Sequence, residues 1–262
     1  MTIRVAVFGA AGRMGRTVCQ AVVGDPDLEL VAAVDPFHAG LDLRPVTGVD
    51  TDLRIDGAAE GLAGHGVDVA IDFTNAEAAR QNLAWCARVG VHAVVGTTGF
   101  GEEDLDRLRA LFRTSNCILA PNFAIGAVLM MRFAEMAAPW FSSAEIVELH
   151  HDAKVDAPSG TALLTATRMA AASSEWTADP TTTEMLDGAR GGKGAAGIPV
   201  HSIRLRGLVA HHEVLLGTTG QSLTIRHDSY HRSSFMPGVL LAIKAVADTP
   251  GLTVGLDSLL GL

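Results

Sequence analysis

The densest run of chemically capable residues in the chain is Glu148-Leu149-His150-His151-Asp152-Ala153-Lys154-Val155-Asp156-Ala157-Pro158-Ser159-Gly160-Thr161. An imidazole changes charge near neutrality and can give or take a proton, and an ammonium can donate one while stabilising developing negative charge. His150 and Lys154 are therefore candidate proton-transfer groups. Of 20 basic residues only Lys154, Lys193 and Lys244 are lysines, and the arginine favoured elsewhere does not deprotonate. Asp152 adds a carboxylate beside the histidines, able to raise the pKa of one of them. The alternative, that His150 and His151 are surface or capping residues, stays open. Zinc fits poorly, because adjacent histidines at a strand end face opposite ways, His211-His212 has the same defect, and no His-Glu-x-x-His occurs. No metal is expected. Pro158-Ser159-Gly160-Thr161 reads as a helix start. Ser159 is a natural N-cap, and Gly160 weakens the first turn but leaves backbone amides open to an anion such as a substrate carboxylate. Arg232 reads equally well as a further positive contact or as a solvated loop residue.

A second constellation is Gly9-Ala10-Ala11-Gly12-Arg13-Met14-Gly15. It falls between a first strand, Ile3 to Phe8, and a helix, Gly15 to Val23, where a pyrophosphate-binding loop belongs. The first glycine permits a tight turn, the second lets backbone approach phosphate, and the helix start offers N–H groups and a positive dipole end. The next strand, Leu28 to Val34, ends at Asp35, about 20–26 residues downstream, where a carboxylate can accept both ribose hydroxyls of NAD and repels a 2′-phosphate. The competing reading of Asp35, followed by Pro36, is a turn-forming pair. NADH is expected to serve at least as well as NADPH, and Arg13 would admit NADPH if it reaches a phosphate. Asp72-Phe73-Thr74, Gly96-Thr97-Thr98-Gly99-Phe100 and Ala120-Pro121-Asn122-Phe123 end further strands on the same rim; a plain β-turn is the alternative for the second of these.

These residues need elements to position them. Residues 1–121 alternate short β-branched runs with alanine-rich helical stretches, the pattern of βαβ units around a parallel sheet. Strands are expected at Val67 to Phe73, His92 to Val95 and Ile118 to Ala120, with helices at Ala76 to Val89 and Glu102 to Phe112. In residues 122–232 the texture changes. A helix from Ala127 to Ala138, a strand from Ala144 to Leu149 and a helix from Gly160 to Ala172 precede a glycine-dense stretch, Asp187 to Gly197, that reads as a mobile functional loop. Three alternating runs, Val200 to Arg206, Glu213 to Leu216 and Ser222 to His227, suggest an antiparallel or mixed sheet, and an apolar helix, Gly238 to Ala247, follows. The fold class is α/β: a Rossmann-type doubly wound parallel sheet with a second α+β domain.

Composition narrows the partners. A net charge of −9 speaks against nucleic acid and anionic membrane. No apolar run reaches roughly 18 residues, so no membrane span is expected, and Met1-Thr2-Ile3-Arg4-Val5 runs straight into a strand without a leader pattern. Cys19, Cys86 and Cys117 are an odd, scattered set, which fits a reducing, cytoplasmic compartment. The charge is uneven. Residues 1–121 carry 10 basic and 16 acidic groups, whereas residues 150–232 carry 8 of each plus seven of the ten histidines. An anionic small molecule would meet the chain in its least acidic part.

The glycine loop, Gly96-Thr97-Thr98-Gly99, Asn122-Phe123 and above all the string from His150-His151 through Lys154 to Asp156-Ala157-Pro158-Ser159-Gly160-Thr161-Ala162 carry a resemblance. The chain resembles the 4-hydroxy-tetrahydrodipicolinate reductase family, the dihydrodipicolinate reductases of the diaminopimelate route to lysine, over essentially its whole length. The resemblance implies nicotinamide-dependent reduction of a cyclic imine dicarboxylate: loss of water from the ring, hydride delivery and protonation of the adjacent ring carbon. It implies His150 as general acid/base, Lys154 as proton donor, and His151 with Ser159, Gly160 and Thr161 as substrate-binding residues. Gly9, Ala10, Ala11, Gly12, Arg13, Met14, Gly96, Thr97, Thr98, Pro121, Asn122 and Phe123 match the family's cofactor-contacting stretches, beside Asp35. A homotetramer built through the second domain's sheet is implied, and a final segment, 233–262, that returns to the first domain. Two positions depart from the family pattern. Pro36 stands where some members carry a basic residue suited to NADPH, and Ala210-His211-His212-Glu213 stands where many read Gly-Glu-His-Thr. Two other readings compete: another two-domain dehydrogenase acting on an amino acid or sugar, and a nucleotide-sensing protein indifferent to Lys154.

Overall fold

The computed structural model describes residues 2–262, and the chain divides into two compact units: residues 1–123 with 235–262, and residues 124–234. The first is a parallel α/β unit. Its strands are β1 (Ile3–Phe8), β2 (Leu28–Val34), β3 (Ile55–Asp56), β4 (Val69–Asp72), β5 (His92–Val95) and β6 (Cys117–Leu119), with α1 (Arg13–Val23), α2 (Leu43–Thr47), α3 (Ala76–Val89) and α4 (Glu102–Leu111) between them. The second unit contributes α5 (Ile125–Ala137), β7 (Ser143–His150), α6 (Gly160–Ala172), β8 (Gly192–Lys193), β9 (Pro199–Arg204), β10 (Ala210–Thr218) and β11 (Gln221–Ser229). The chain then completes the first unit with α7 (Met236–Ala245) and β12 (Leu252–Val254).

The first sheet has the order β12-β6-β5-β4-β1-β2-β3, and its pairings are all parallel. The strand order reverses between β1 and β4, the switch point where doubly wound sheets open a crevice at the strands' carboxyl ends. Strands covered on both faces must be apolar throughout. Val5, Ala6, Val7 and Phe8 are all buried accordingly. Helix α3 has well-defined ends: the Asn75 side chain accepts from the Glu77 and Ala78 amides, and Gly90 ends it at φ +79°. The expected Rossmann-type architecture is the one observed. β3, β12 and α2, none of them anticipated, are too short for a periodic signal, and their pairing partners decide them.

The second sheet, β11-β10-β7-β9-β8, is mixed: β7 and β9 run parallel and the other neighbours antiparallel. Alternation along β7 buries Ala144, Ile146 and Glu148 on one face. Register places Val200 of β9 and Val214 of β10 beside Ile146, and these apolar residues pack with Ala134, Ala162, Ala166 and Met169 of α5 and α6. β7, β10 and β11 run longer than their apolar alternation suggests, while β9 stops at Arg204, short of the expected Arg206. β10 begins at Ala210, so His211 and His212 are strand residues. The stretch from Asp187 to Gly197, expected as a loop, includes the edge strand β8 and a short turn at Ala195–Gly197.

In the first turn of α1 the chain allows no side chain at the third glycine of the loop motif: a Cβ on Gly15 would stand 2.0 Å from the Gly9 carbonyl oxygen. Gly15→Ala is expected to destabilise the first unit by about 1–3 kcal/mol; urea unfolding followed by circular dichroism checks this, and an unchanged midpoint would contradict the close packing.

Candidate active site

A fully buried carboxylate organises the histidine and lysine segment. Glu148 lies on the helix-covered face of β7, two residues before His150 and so on the same side of the strand. Register sets Ser202 of β9 beside Glu148 and Arg204 beside His150. The Arg204 Nη1 and Nη2 atoms donate to the Glu148 Oε2 and Oε1 atoms, each at 2.9 Å. The Ser159 amide donates to Oε1 at 3.1 Å, and His150 Nδ1 lies 2.5 Å from Oε2. Arg204 Nη2 also donates to the Asp156 carbonyl at 2.6 Å. One charge pair thus joins two strand ends, the 151–159 turn and the start of α6. The Ser159 side chain accepts from the Ala162 amide at 3.3 Å and caps the helix. Space is open where a Gly160 Cβ would stand, so a ligand oxygen can approach that end of the helix. Lys154 Nζ donates to both Asp156 carboxylate oxygens, at 2.8 and 2.7 Å.

These contacts fix the charges. Burial works against the Glu148 carboxylate, but Arg204, Ser202 and His150 outweigh it and bring its pKa from 4.5 to about 2. Burial lowers the pKa of His150; Glu148 pulls it up, while Lys154 and Arg204 push it down. The expectation for Asp152 is therefore corrected. Its carboxylate accepts from Arg206 Nε at 2.9 Å on the surface, and the carboxylate bound to a catalytic-candidate histidine is Glu148. The histidines of the stretch that departs from the family pattern also find their places. His211 Nδ1 lies 2.6 Å from Asp228 Oδ1, and its Nε2 accepts from the Val209 amide at 3.3 Å. His212 is buried in the cross-strand row between Glu148 and His227, and burial lowers its pKa to about 4.

The cofactor candidates gather on the carboxyl rim of the first sheet. Phe8 is in register with Val34 and Asp72, Asp72 with Val95, and Val95 with Leu119, so the loops that follow these residues leave the sheet from one row. Gly9 has φ +72°, and its carbonyl accepts the Gly12 amide at 2.9 Å. Gly12 caps α1 without a side chain, which leaves Arg13 and Met14 in the first turn of an uncapped helix. Asp35 is buried; its Oδ2 accepts from the Ala11 amide at 3.3 Å and its Oδ1 from the Phe37 amide at 3.1 Å. The turn-forming reading of Asp35 is the one seen, and the same carboxylate is tied to the glycine loop. Beside these residues lies a cavity of about 350 Å³ lined by Gly9, Val34, Pro36, Gly57, Ala58 and Thr74 among others. A tight glycine turn, an open helix start, a carboxylate after β2 and an adjoining cavity fit a dinucleotide. Farther along the rim Thr97 turns its hydroxyl inward to Asp72 Oδ1 at 2.8 Å while Thr98 is exposed. Gly96 is obligatory there, because a Cβ would stand 2.0 Å from the Phe73 ring. Pro121 is exposed and Asn122 half-buried, and Phe123 is buried with its ring 5.8 Å from that of Phe73.

The sequence reading overlooked Glu148 and Arg204. For Glu148 a signal existed, a carboxylate two residues before His150 on an alternating strand; for Arg204 none did, because only the β7–β9 register brings it there.

Comparison with known proteins places this geometry. The family described as "Dihydrodipicolinate reductase, N-terminus" matches residues 3–123, and "Dihydrodipicolinate reductase, C-terminus" matches residues 126–260. The 4-hydroxy-tetrahydrodipicolinate reductase of Cutibacterium acnes is 53% identical over 99% of this chain and 99% of its own. That of Streptomyces coelicolor is 50% identical over 99% and 98%. Among solved structures, a dipicolinate-bound dihydrodipicolinate reductase from Paenisporosarcina sp. TG-14 superposes with a TM-score of 0.86 at 42% identity, covering 98% of this chain and 99% of its own. An amine dehydrogenase from Mycobacterium smegmatis, at 16% identity and a TM-score of 0.67, shares the fold.

Glu148→Gln removes the negative half of the buried pair and leaves the Arg204 charge uncompensated. We expect a loss of about 3–5 kcal/mol at neutral pH. A carboxylate whose native pKa is depressed stabilises fully above its ordinary value of 4.5 and loses that contribution as pH falls toward about 2. The stability gap between wild type and variant should therefore narrow over that window in urea unfolding; a gap that widens on acidification would contradict the assignment.

Proposed function

As the chain belongs to the dihydrodipicolinate reductase family and has its 4-hydroxy-tetrahydrodipicolinate reductase activity in lysine biosynthesis, we propose that His150 and Lys154 handle the protons of that reaction. The observation that carries the reading is the Glu148 contact to His150 Nδ1, which leaves Nε2 as the nitrogen for proton exchange. An imidazole with a lowered pKa stands ready to accept a proton near neutrality and to return it. Lys154, paired to Asp156, enters the reaction as the ammonium and donates to the ring carbon beside the reduced one. His151 and the Ser159-Gly160-Thr161 start of α6 receive the substrate carboxylates, with Ser159 acting through its backbone because its hydroxyl caps the helix. Arg232, half-buried and without an ion pair among the described residues, suits a second carboxylate.

A bound nicotinamide supplies the hydride. Gly9, Ala10, Ala11, Gly12, Arg13 and Met14 hold its pyrophosphate, Asp35 its adenosine ribose, and the backbone of Gly96, Thr97, Thr98, Pro121, Asn122 and Phe123 its nicotinamide end. The buried carboxylate at Asp35 supports NADH as at least as good a donor as NADPH. The face of the second sheet turned away from α5 and α6 carries Val147, Leu149, Ile203 and Leu215, and Ile203 is 40% exposed and Leu215 37%. That face supports a homotetramer. No described helix is long and apolar enough to cross a membrane, and Cys19, Cys86 and Cys117 are free and buried; the thiols support a cytoplasmic location.

Lys154→Ala is expected to cut kcat about a hundredfold or more while NADH affinity stays nearly intact. An NADH-oxidation assay with enzymatically generated substrate measures this, and unchanged turnover would refute the proton-donor role. An NADPH preference above about tenfold in kcat/KM near pH 8 would refute the role of Asp35. Light scattering should give about four times the 27.3 kDa chain mass for the wild type, and Leu215→Lys should lower that mass.

A further inference from the structure

We infer that His38 is a specificity-determining residue for the dinucleotide: its imidazole, bonded to Asp35, decides how strongly that carboxylate rejects a 2′-phosphate. The inference rests on the proposed contact of Asp35 with the adenosine ribose.

After β2 the chain turns through Asp35 and the short Pro36–His38 helix, which brings residue 38 back over residue 35. The His38 Nδ1 atom lies 3.0 Å from Asp35 Oδ1, while Asp35 Oδ2 accepts from the Ala11 amide of the glycine loop. The carboxylate is therefore held from both sides, by backbone of the phosphate-binding turn and by a titratable ring. The His38 side chain is 37% exposed against 10% for Asp35, so solvent reaches part of the ring. The residue directly after Asp35 is Pro36, which brings neither a donor nor a charge. Other charged groups on the adjoining elements are Asp56 of β3, Arg13 and Arg16 of α1, and Glu60 and Arg88, which line the cavity; the one hydrogen-bonded to the imidazole is Asp35.

Two charge states follow. With a neutral ring, Asp35 keeps its full negative charge, accepts a ribose hydroxyl and repels a 2′-phosphate. With a charged ring, the pair is neutral overall and offers an N–H donor beside the position a 2′-phosphate would take. A change of pH exchanges the two states of an imidazole. NADH binding, which uses the carboxylate only as a hydroxyl acceptor, changes little between the two states.

The test is fluorescence titration of the full chain with NADH and with NADPH at about pH 6 and about pH 8, for wild type, His38→Gln and Asp35→Asn. Glutamine keeps a donor for Asp35 but does not titrate. In the wild type the ratio of NADPH to NADH dissociation constants should fall about tenfold from the higher to the lower pH. In His38→Gln the fall should be under about threefold, that remainder being the second ionisation of the 2′-phosphate itself, common to all three proteins. Asp35→Asn should favour NADPH at both pH values. Equal pH dependence in wild type and His38→Gln, with Asp35→Asn behaving as expected, would overturn the role of His38 alone. An Asp35→Asn ratio matching the wild type at both pH values would instead overturn the placement of Asp35 at the ribose.

Discussion

A carboxylate taken wholly out of water must find its counter-charge and its donors inside the protein, and in the second unit that requirement falls on Glu148. Its contacts come from three parts of the chain: Arg204 and Ser202 on the neighbouring strand, the ring of His150 on its own strand, and the amide that begins α6. A buried ion pair is weak evidence for net stability, because desolvation offsets much of the attraction. What the pair supplies here is register. A slip of one residue between β7 and β9 would carry Arg204 to the opposite face and leave the buried Glu148 without its counter-charge, a cost large enough to exclude the slipped sheet.

The same face explains why chemistry sits at one end of this sheet. Along β7 the inward residues run Ala144, Ile146, Glu148, His150; along β10 they run Leu216, Val214, His212 in the antiparallel sense. Rows beside α5 and α6 are filled with methyl groups, and the rows past them hold a carboxylate, a guanidinium and three imidazoles. The transition from packing to titratable groups takes a single rung of the sheet. Burial at that rung keeps His150 and His212 below their ordinary pKa values while Glu148 stays ionised, so the charges of the candidate site are set by depth and neighbours together.

In the first unit a second buried carboxylate has a comparable position. Asp72, at the end of β4, accepts from Thr74, Asn82 and Thr97, and so ties the loops after β4 and β5 to α3. The hydroxyl of Thr97 is consumed in this knot. Neighbouring glycines are there for want of space, at Gly15 against the Gly9 carbonyl and at Gly96 against Phe73. The rim is a set of backbone turns held by one acid, with Asp35 as the carboxylate nearest the glycine loop.

Much of this was legible without coordinates. Continuous apolar runs alternating with alanine-rich helices specify a parallel sheet because strands buried on both faces leave no place for polar residues. The glycine spacing specifies a tight turn ahead of a helix because each glycine answers a separate steric demand, and His150 and Lys154 are candidates for proton chemistry by residue type alone. The partners of those groups depended on register, which neighbouring sequence does not encode: Glu148 rather than Asp152 holds His150, and Arg204 reaches across 56 positions to hold Glu148. Short elements such as β3 and β12 were likewise invisible, since two or three residues carry no period and exist only because a neighbouring strand offers hydrogen bonds. The sequence by itself determined the fold class, the glycine turn and the residue types able to transfer protons, all of which follow from local pattern. Tertiary structure alone decided which charges meet, because electrostatic partnership is a matter of distance and burial, and both are properties of the folded chain.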